Sequence, residues 1–142
     1  MKPSFFAALF FIISILFLQQ ISFTDAQKAG EIENVCAQTE APDLCISILK
    51  SDPRSINGGL KTLVIIALEK ALSLADGLKD RCPDAYARLV NHIGEAIQRV
   101  QNDQIPMAIL SVLAGLNDVA SCYHTSLLTI LRIALTLLRL LK

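Results

Sequence analysis

The sequence has no charge of one sign to spare. Its 13 lysine and arginine residues balance its 13 aspartate and glutamate residues. No basic excess is present to hold phosphates, which argues against a nucleic-acid role. There is no acidic tail either, so a partner must be found by shape and local patches. Phosphate-cradling glycine loops and nucleophile elbows are missing. No asparagine has serine or threonine two residues later, so the N-glycosylation acceptor pattern is absent. Strand-type alternation, internal repeats and low-complexity tracts are missing as well. What is present is apolar spacing of the helical kind, and the chain reads as all-α.

The first stretch has a different character. Lys2 precedes an apolar run from Phe5 to Leu18, followed by Gln19-Gln20 and the small-residue site Thr24-Asp25-Ala26. A positive end, a short apolar core and a small residue at the cut describe a secretory leader, with cleavage expected after Ala26. The run is short for a bilayer span. Residues 1–26 are therefore read as a signal peptide and 27–142 as one domain. Lys2 and Asp25 leave together, so the remainder stays neutral.

All 4 cysteines, Cys36, Cys45, Cys82 and Cys122, lie in that remainder. In a secreted chain an even cysteine count implies disulfides. The organising stretch runs from Cys82 to Cys122. Tyr86, Leu89, Val90, Ile93, Ile97 and Val100 recur at helical spacing, as do Ile109, Val112, Leu113, Leu116 and Val119. The polar break Gln101-Asn102-Asp103-Gln104 separates them. Two helices of similar length joined by a short loop run antiparallel, each roughly 25 Å long at the helical rise. That returns Cys122 to the level of Cys82. The expected pairs are Cys82–Cys122 and, by proximity in sequence, Cys36–Cys45. The spacings are not those of zinc ligands, and no metal site is expected.

The other segments follow in order. Glu31, Ile32, Val35 and Cys36 fit a short helix. Thr39-Glu40-Ala41-Pro42-Asp43 is a break, and Leu44, Cys45, Ile48 and Leu49 line one face of a second helix. Ser51-Asp52-Pro53-Arg54-Ser55 reads as a turn and Asn57-Gly58-Gly59 as another break. A longer helix from Leu60 to Leu78 shows a wide apolar face and weakens near Gly77. In the last segment, Thr125, Thr129, Arg132, Thr136 and Arg139 form one narrow polar stripe on an otherwise apolar helix. Such a helix is either central to a bundle or a membrane element, and the two arginines argue against a span. The expected fold is a four-helix up-and-down bundle with an N-terminal disulfide-tied helical hairpin.

No residues assemble into a catalytic or cofactor site. His92 lies between Val90 and Ile93 on a helix, where a border role is the ordinary one. His124 lies two residues after Cys122, a cysteine expected to be bonded. The carboxylates are scattered among solvated residues. Binding rather than catalysis is expected, with no cofactor.

Several stretches together carry a resemblance. They are Val35-Cys36-Ala37-Gln38-Thr39, Pro42-Asp43-Leu44-Cys45, Leu49, Ser51-Asp52-Pro53-Arg54-Ser55, Gly77-Leu78-Lys79-Asp80-Arg81-Cys82 with Tyr86, Ala87 and Val90, and Leu110 to Ala114 leading to Ser121-Cys122. The chain resembles the plant invertase and pectin methylesterase inhibitors. The resemblance implies a four-helix bundle with two disulfides, secreted to the cell wall, that binds a carbohydrate-active enzyme and covers its substrate cleft without catalysing anything. The segments between Cys45 and Cys82 and after Cys122 are shorter than in most members, which implies shortened bundle helices. Invertase inhibitors of this family tend to carry a Pro-Lys-Phe loop, and here the corresponding break reads Asn102-Asp103-Gln104-Ile105-Pro106-Met107. Its absence favours pectin methylesterase as the partner over acid invertase. If the enzyme-facing surface lies on the central hairpin, Asp84, Arg88, Asn91, Glu95 and Gln98 supply contacts. Two other readings stand beside this one. The apolar Ser126–Leu141 segment suggests a small binder of lipid or membrane surfaces, and the shortened segments suggest a family member that has lost its target enzyme.

Overall fold

The computed structural model describes residues 3–141, with side chains at 4–15 and 30–141. Among the described residues the regular structure is helical. In chain order it comprises α1 (Pro3–Cys36), α2 (Pro42–Lys50), α3 (Arg54–Asn57), α4 (Leu60–Ala75), a 3-10 turn (Asp76–Leu78), α5 (Pro83–Gln101), α6 (Ile105–Ala120) and α7 (Thr125–Leu140).

The chain divides into two compact units, Met1–Glu31 and Ile32–Lys142. In the first, the side chains of Phe5, Phe6, Phe10 and Phe11 on α1 are exposed. Among the described residues no helix is both long and apolar enough to cross a membrane. The short helix expected around Glu31 to Cys36 is instead the end of α1. The chain from Gln19 to Cys36 contains no proline to stop a helix begun upstream. The cleavage point expected after Ala26 lies outside the residues whose side chains are described.

The second unit is the bundle. Helices α4, α5, α6 and α7 pack in the order α4–α5–α6–α7, and α7 closes back on α4. Short connections make successive helices antiparallel. Prolines mark the helix starts: Pro42 opens α2, Pro83 opens α5 and Pro106 sits in the first turn of α6. An N–H is unused at those positions, so proline costs nothing there. Asp43 and Asp84 in first turns complement the positive helix end. The residues read as a plain turn before α4 instead make one helical turn, α3.

Each bundle helix contributes to one core. Leu63, Val64 and Leu68 come from α4, Leu89 and Ile93 from α5, Val112 from α6, and Leu127, Leu131, Ile133, Leu137 and Leu138 from α7. Helix α7 is buried over most of its circumference, with Arg132 and Arg139 on the exposed stripe. That is the bundle arrangement of a nearly all-round apolar helix. A reading of this segment as a lipid-facing element loses its basis, because its apolar side chains already have partners.

The lattice of buried side chains is not the one that apolar spacing suggests. Val90 and Leu113, expected inside, are exposed. Ala85, Ala96, Ala108, Ser111 and Gly115 occupy core positions instead. At one of these points, Gly115, a small residue lets α6 approach Leu89 and Ile93 of α5 closely.

Two cross-links tie the unit. Cys36 is bonded to Cys45 with the Cα atoms 5.5 Å apart, and Cys82 to Cys122 with the Cα atoms 6.4 Å apart. The first joins the end of α1 to α2. Around it, Thr39 Oγ1 donates to the Cys36 carbonyl at 2.7 Å and Lys50 Nζ pairs with Glu33 Oε1 at 2.9 Å. The second joins the start of α5 to the end of α6.

Candidate functional site

The central hairpin presents the residues expected to meet a partner. Asp84, Arg88, Asn91 and Gln98 are exposed along α5, whereas Glu95 is half-buried. They form a row because the apolar positions Leu89, Ile93 and Val100 turn the opposite side of α5 inward.

Arg88 is not a free cation. Its Nε donates to Asp118 Oδ1 at 3.0 Å, across the gap to α6. His92 Nδ1 lies 2.8 Å from Asp118 Oδ2. The Asp118 side chain is only 10% exposed, so these two contacts account for both of its oxygens. Helix α5 is thereby keyed to α6 by polar contacts as well as by packing. His92 thus has a specific partner, where the sequence suggested only a border position. Asp118 itself was missed. A signal for it existed: the antiparallel pairing that brings Cys82 to Cys122 also brings a residue shortly after Cys82 level with one shortly before Cys122.

The outer side of α6 is apolar. Met107, Leu110 and Leu113 are exposed, Leu110 by 59%. The hairpin therefore offers a polar row on one helix and an apolar stripe on the other, a mixture found in protein interfaces.

At the far end, the α5–α6 connection is tight. Asp103 takes a left-handed conformation, with φ of 58°. Aspartate tolerates this better than most residues because its short polar side chain can bond locally. The Gln104 N–H returns to the Arg99 carbonyl at 2.8 Å. Lys61 Nζ on α4 binds Asp103 Oδ1 at 2.9 Å and the Gln101 carbonyl at 3.1 Å. Through Lys61 the exposed connection is linked to α4.

A second polar cluster stabilises the entry to α4. Arg54 Nε and Nη2 donate to the Asp52 carboxylate at 3.1 and 2.7 Å, and the Arg54 N–H donates to Asp52 Oδ1 at 2.9 Å. Glu69 on α4 closes on the same guanidinium. The Arg54 side-chain bonds, then its backbone N–H, hold the Asp52 carboxyl below its ordinary value, and the two carboxylates raise that of Arg54. An open depression of about 240 Å³ lies beside it, lined by residues including Ile48, Ser51, Ile66, Lys70 and Ser73. The contribution of Asp52 is full above the ordinary carboxyl value of 3.8 and is lost only as the pH falls through its lower folded value. Asp52→Asn should therefore lower the Tm slightly at neutral pH, with the difference from wild type shrinking as the pH falls below 3.8. Thermal melts across that range check this, and a Tm difference that persists undiminished in acid would refute it.

Among the described residues no three potential ligands of the His, Cys, Asp and Glu kind come together to hold a metal. The Cys82 sulfur, a possible nucleophile if free, is bonded to Cys122.

Two curated proteins are similar to the chain. One, from Actinidia deliciosa, is named Pectinesterase inhibitor. It is 25% identical over 132 residues, covering 78% of this chain and 71% of its own length. The chain resembles the plant invertase and pectin methylesterase inhibitors. The other protein, from Arabidopsis thaliana, is named Cell wall / vacuolar inhibitor of fructosidase 1. It is 29% identical over 91 residues, covering 59% of this chain and 44% of its own length, so the chain spans less than half of that relative. No family model matches the sequence. Both names are those of inhibitors, one for each enzyme type that the sequence resemblance implies. The helical fold with two disulfides fits the same family.

Proposed function

We propose that this chain is a secreted, non-catalytic inhibitor that binds a cell-wall carbohydrate-active enzyme, pectin methylesterase, and covers its substrate cleft. The observation that carries the proposal is the similarity to a pectinesterase inhibitor over most of the chain. A leader over residues 1–26 would deliver it outside the cell, where disulfides form. A bundle cross-linked at Cys36–Cys45 and Cys82–Cys122 suits the role physically. A stiff helical surface loses little conformational entropy on binding. The exposed row on α5 and the apolar stripe of Met107, Leu110 and Leu113 supply the two kinds of contact that an interface uses.

Invertase inhibition is the second reading, favoured by the similarity to the fructosidase inhibitor. The α5–α6 connection weighs against it. That segment lacks the Pro-Lys-Phe sequence, and the Asp103 carboxylate is bound to Lys61.

The test is a titration of purified pectin methylesterase, and separately of acid invertase, with the mature chain at cell-wall pH. The expected result is loss of methylesterase activity alone. Loss of invertase activity alone would move the assignment to the second enzyme. Full activity of both at a large excess of the chain would mean a relative that has lost its target.

A further inference from the structure

Tyr123 is the most exposed large apolar or aromatic side chain of the bundle unit, at 87%. It is also held with φ of 52°, in the left-handed region. Position and conformation both run against stability. A residue that ends a helix in this conformation is usually glycine or asparagine, because a β-carbon there crowds the backbone. A bulky aromatic in this region is an outlier. Its ring buries almost nothing, so packing gives no return for the strain. Strain kept at an exposed position without structural return is the pattern of a functional site.

The residues on either side of it are fixed. Cys122 is bonded to Cys82, its N–H donates to the Val119 carbonyl at 2.9 Å, and its own carbonyl accepts from Arg81 Nη2 at 3.1 Å. On the other side, His124 caps α7: its Nδ1 accepts from the Leu127 N–H at 3.2 Å, and its carbonyl accepts from the Leu128 N–H at 3.1 Å. Tyr123 therefore projects from a pedestal anchored at both neighbours. The other tyrosine is different. Tyr86 is half-buried and its hydroxyl donates to Asp76 Oδ1 at 3.1 Å.

The geometry points to Tyr123 as an anchor residue that enters a pocket on the target enzyme, extending the docking surface from the central hairpin to the disulfide end of the bundle. The inference rests on the inhibitor reading above. Three observations carry it. The backbone that carries the aromatic is held at both neighbours, so little backbone freedom is lost when it is bound. Tyrosine is among the residue types that dominate interface energetics. Finally, Tyr123 follows Cys122, whose bond to Cys82 places it at the end of the bundle where α5, with its exposed Asp84 and Arg88, begins. The pocket it fits has apolar walls for the ring and a polar group for the hydroxyl. An acidic group at its rim would meet the exposed Arg81 next to the Cys122 carbonyl.

Tyr123→Gly separates binding from folding, because glycine adopts this conformation without strain. The Tm of the variant should equal or exceed that of wild type, while inhibition of pectin methylesterase should weaken tenfold or more. Tyr123→Phe, which keeps the ring, should stay within about threefold of wild type. Undiminished inhibition by Tyr123→Gly would overturn the anchor and leave the inhibitor reading intact. A lower Tm for Tyr123→Gly would also overturn it, since the ring would then be serving the fold. If the unaltered chain inhibits no enzyme, the inhibitor reading fails and the anchor fails with it.

Discussion

Replacing Cys82 and Cys122 together by serine is expected to lower the stability of the bundle by about 4 kcal/mol. The bond spans 40 residues, and the entropy recovered by the unfolded chain when it is removed grows with that length. A small domain has roughly 5–15 kcal/mol in total, so the variant would stand near its unfolding threshold. Cys122 is buried, and a serine hydroxyl placed there adds a desolvation cost. The matching change at Cys36 and Cys45 releases a span of only 9 residues and should cost about 2.5 kcal/mol. Urea titrations of the two double variants, followed by circular dichroism, check both the size and the order. A loss under about 1 kcal/mol for the longer loop, or the reverse order, would mean that packing alone holds the open end of the hairpin.

The second large effect is expected at Gly115. A Cβ built there would stand 3.1 Å from both Ile93 Cδ1 and Leu89 Cδ1, closer than ordinary carbon contact. Gly115 is thus a position where α6 comes close to the α5 side chains, and a side chain much larger than a methyl does not fit without separating the helices. Gly115→Leu should destabilise by about 3 kcal/mol or more, at the upper end of overpacking costs. Separation of the helices would also stretch the Arg88–Asp118–His92 contacts beside it. Gly115→Ala sets two opposing effects against each other. Alanine favours the helix by about 1 kcal/mol, while the Ile93 and Leu89 methyls must give way by a few tenths of an ångström. A result near zero is expected for it. Denaturation of both variants decides the matter: a leucine tolerated within about 0.5 kcal/mol would contradict the close approach of α5 and α6.

The hairpin between Cys82 and Cys122 was legible for reasons that can be named. Two apolar stripes of similar length and a short polar break leave antiparallel pairing as the economical arrangement, and that pairing brings the cysteines together. The limits of the same reasoning show at Val90, Leu113 and Gly115. Apolar spacing marks a stripe on a helix but not how much of it a neighbour will cover. Small residues carry no such mark, so Ala85, Ala96, Ala108, Ser111 and Gly115 went unread although they are buried. Of the proposed contact residues, Asp84, Asn91 and Gln98 stand free on the surface, while Arg88 is already paired. A list of polar positions on one helix could not register that, because the partner carboxylate belongs to another helix.

By itself the sequence determined that the chain is helical and where most helices begin and end. It also determined which cysteines a hairpin would bring together and which family the whole resembles. These follow from periodicity, proline positions and loop length, which are properties of neighbouring residues. Only the tertiary structure decided that Met107, Leu110 and Leu113 face outward, that Asp118 joins Arg88 to His92, and that Tyr123 projects in a strained conformation between two anchored neighbours. Exposure, pairing and strain depend on which helices pack against which, and no stretch of the chain contains that information alone.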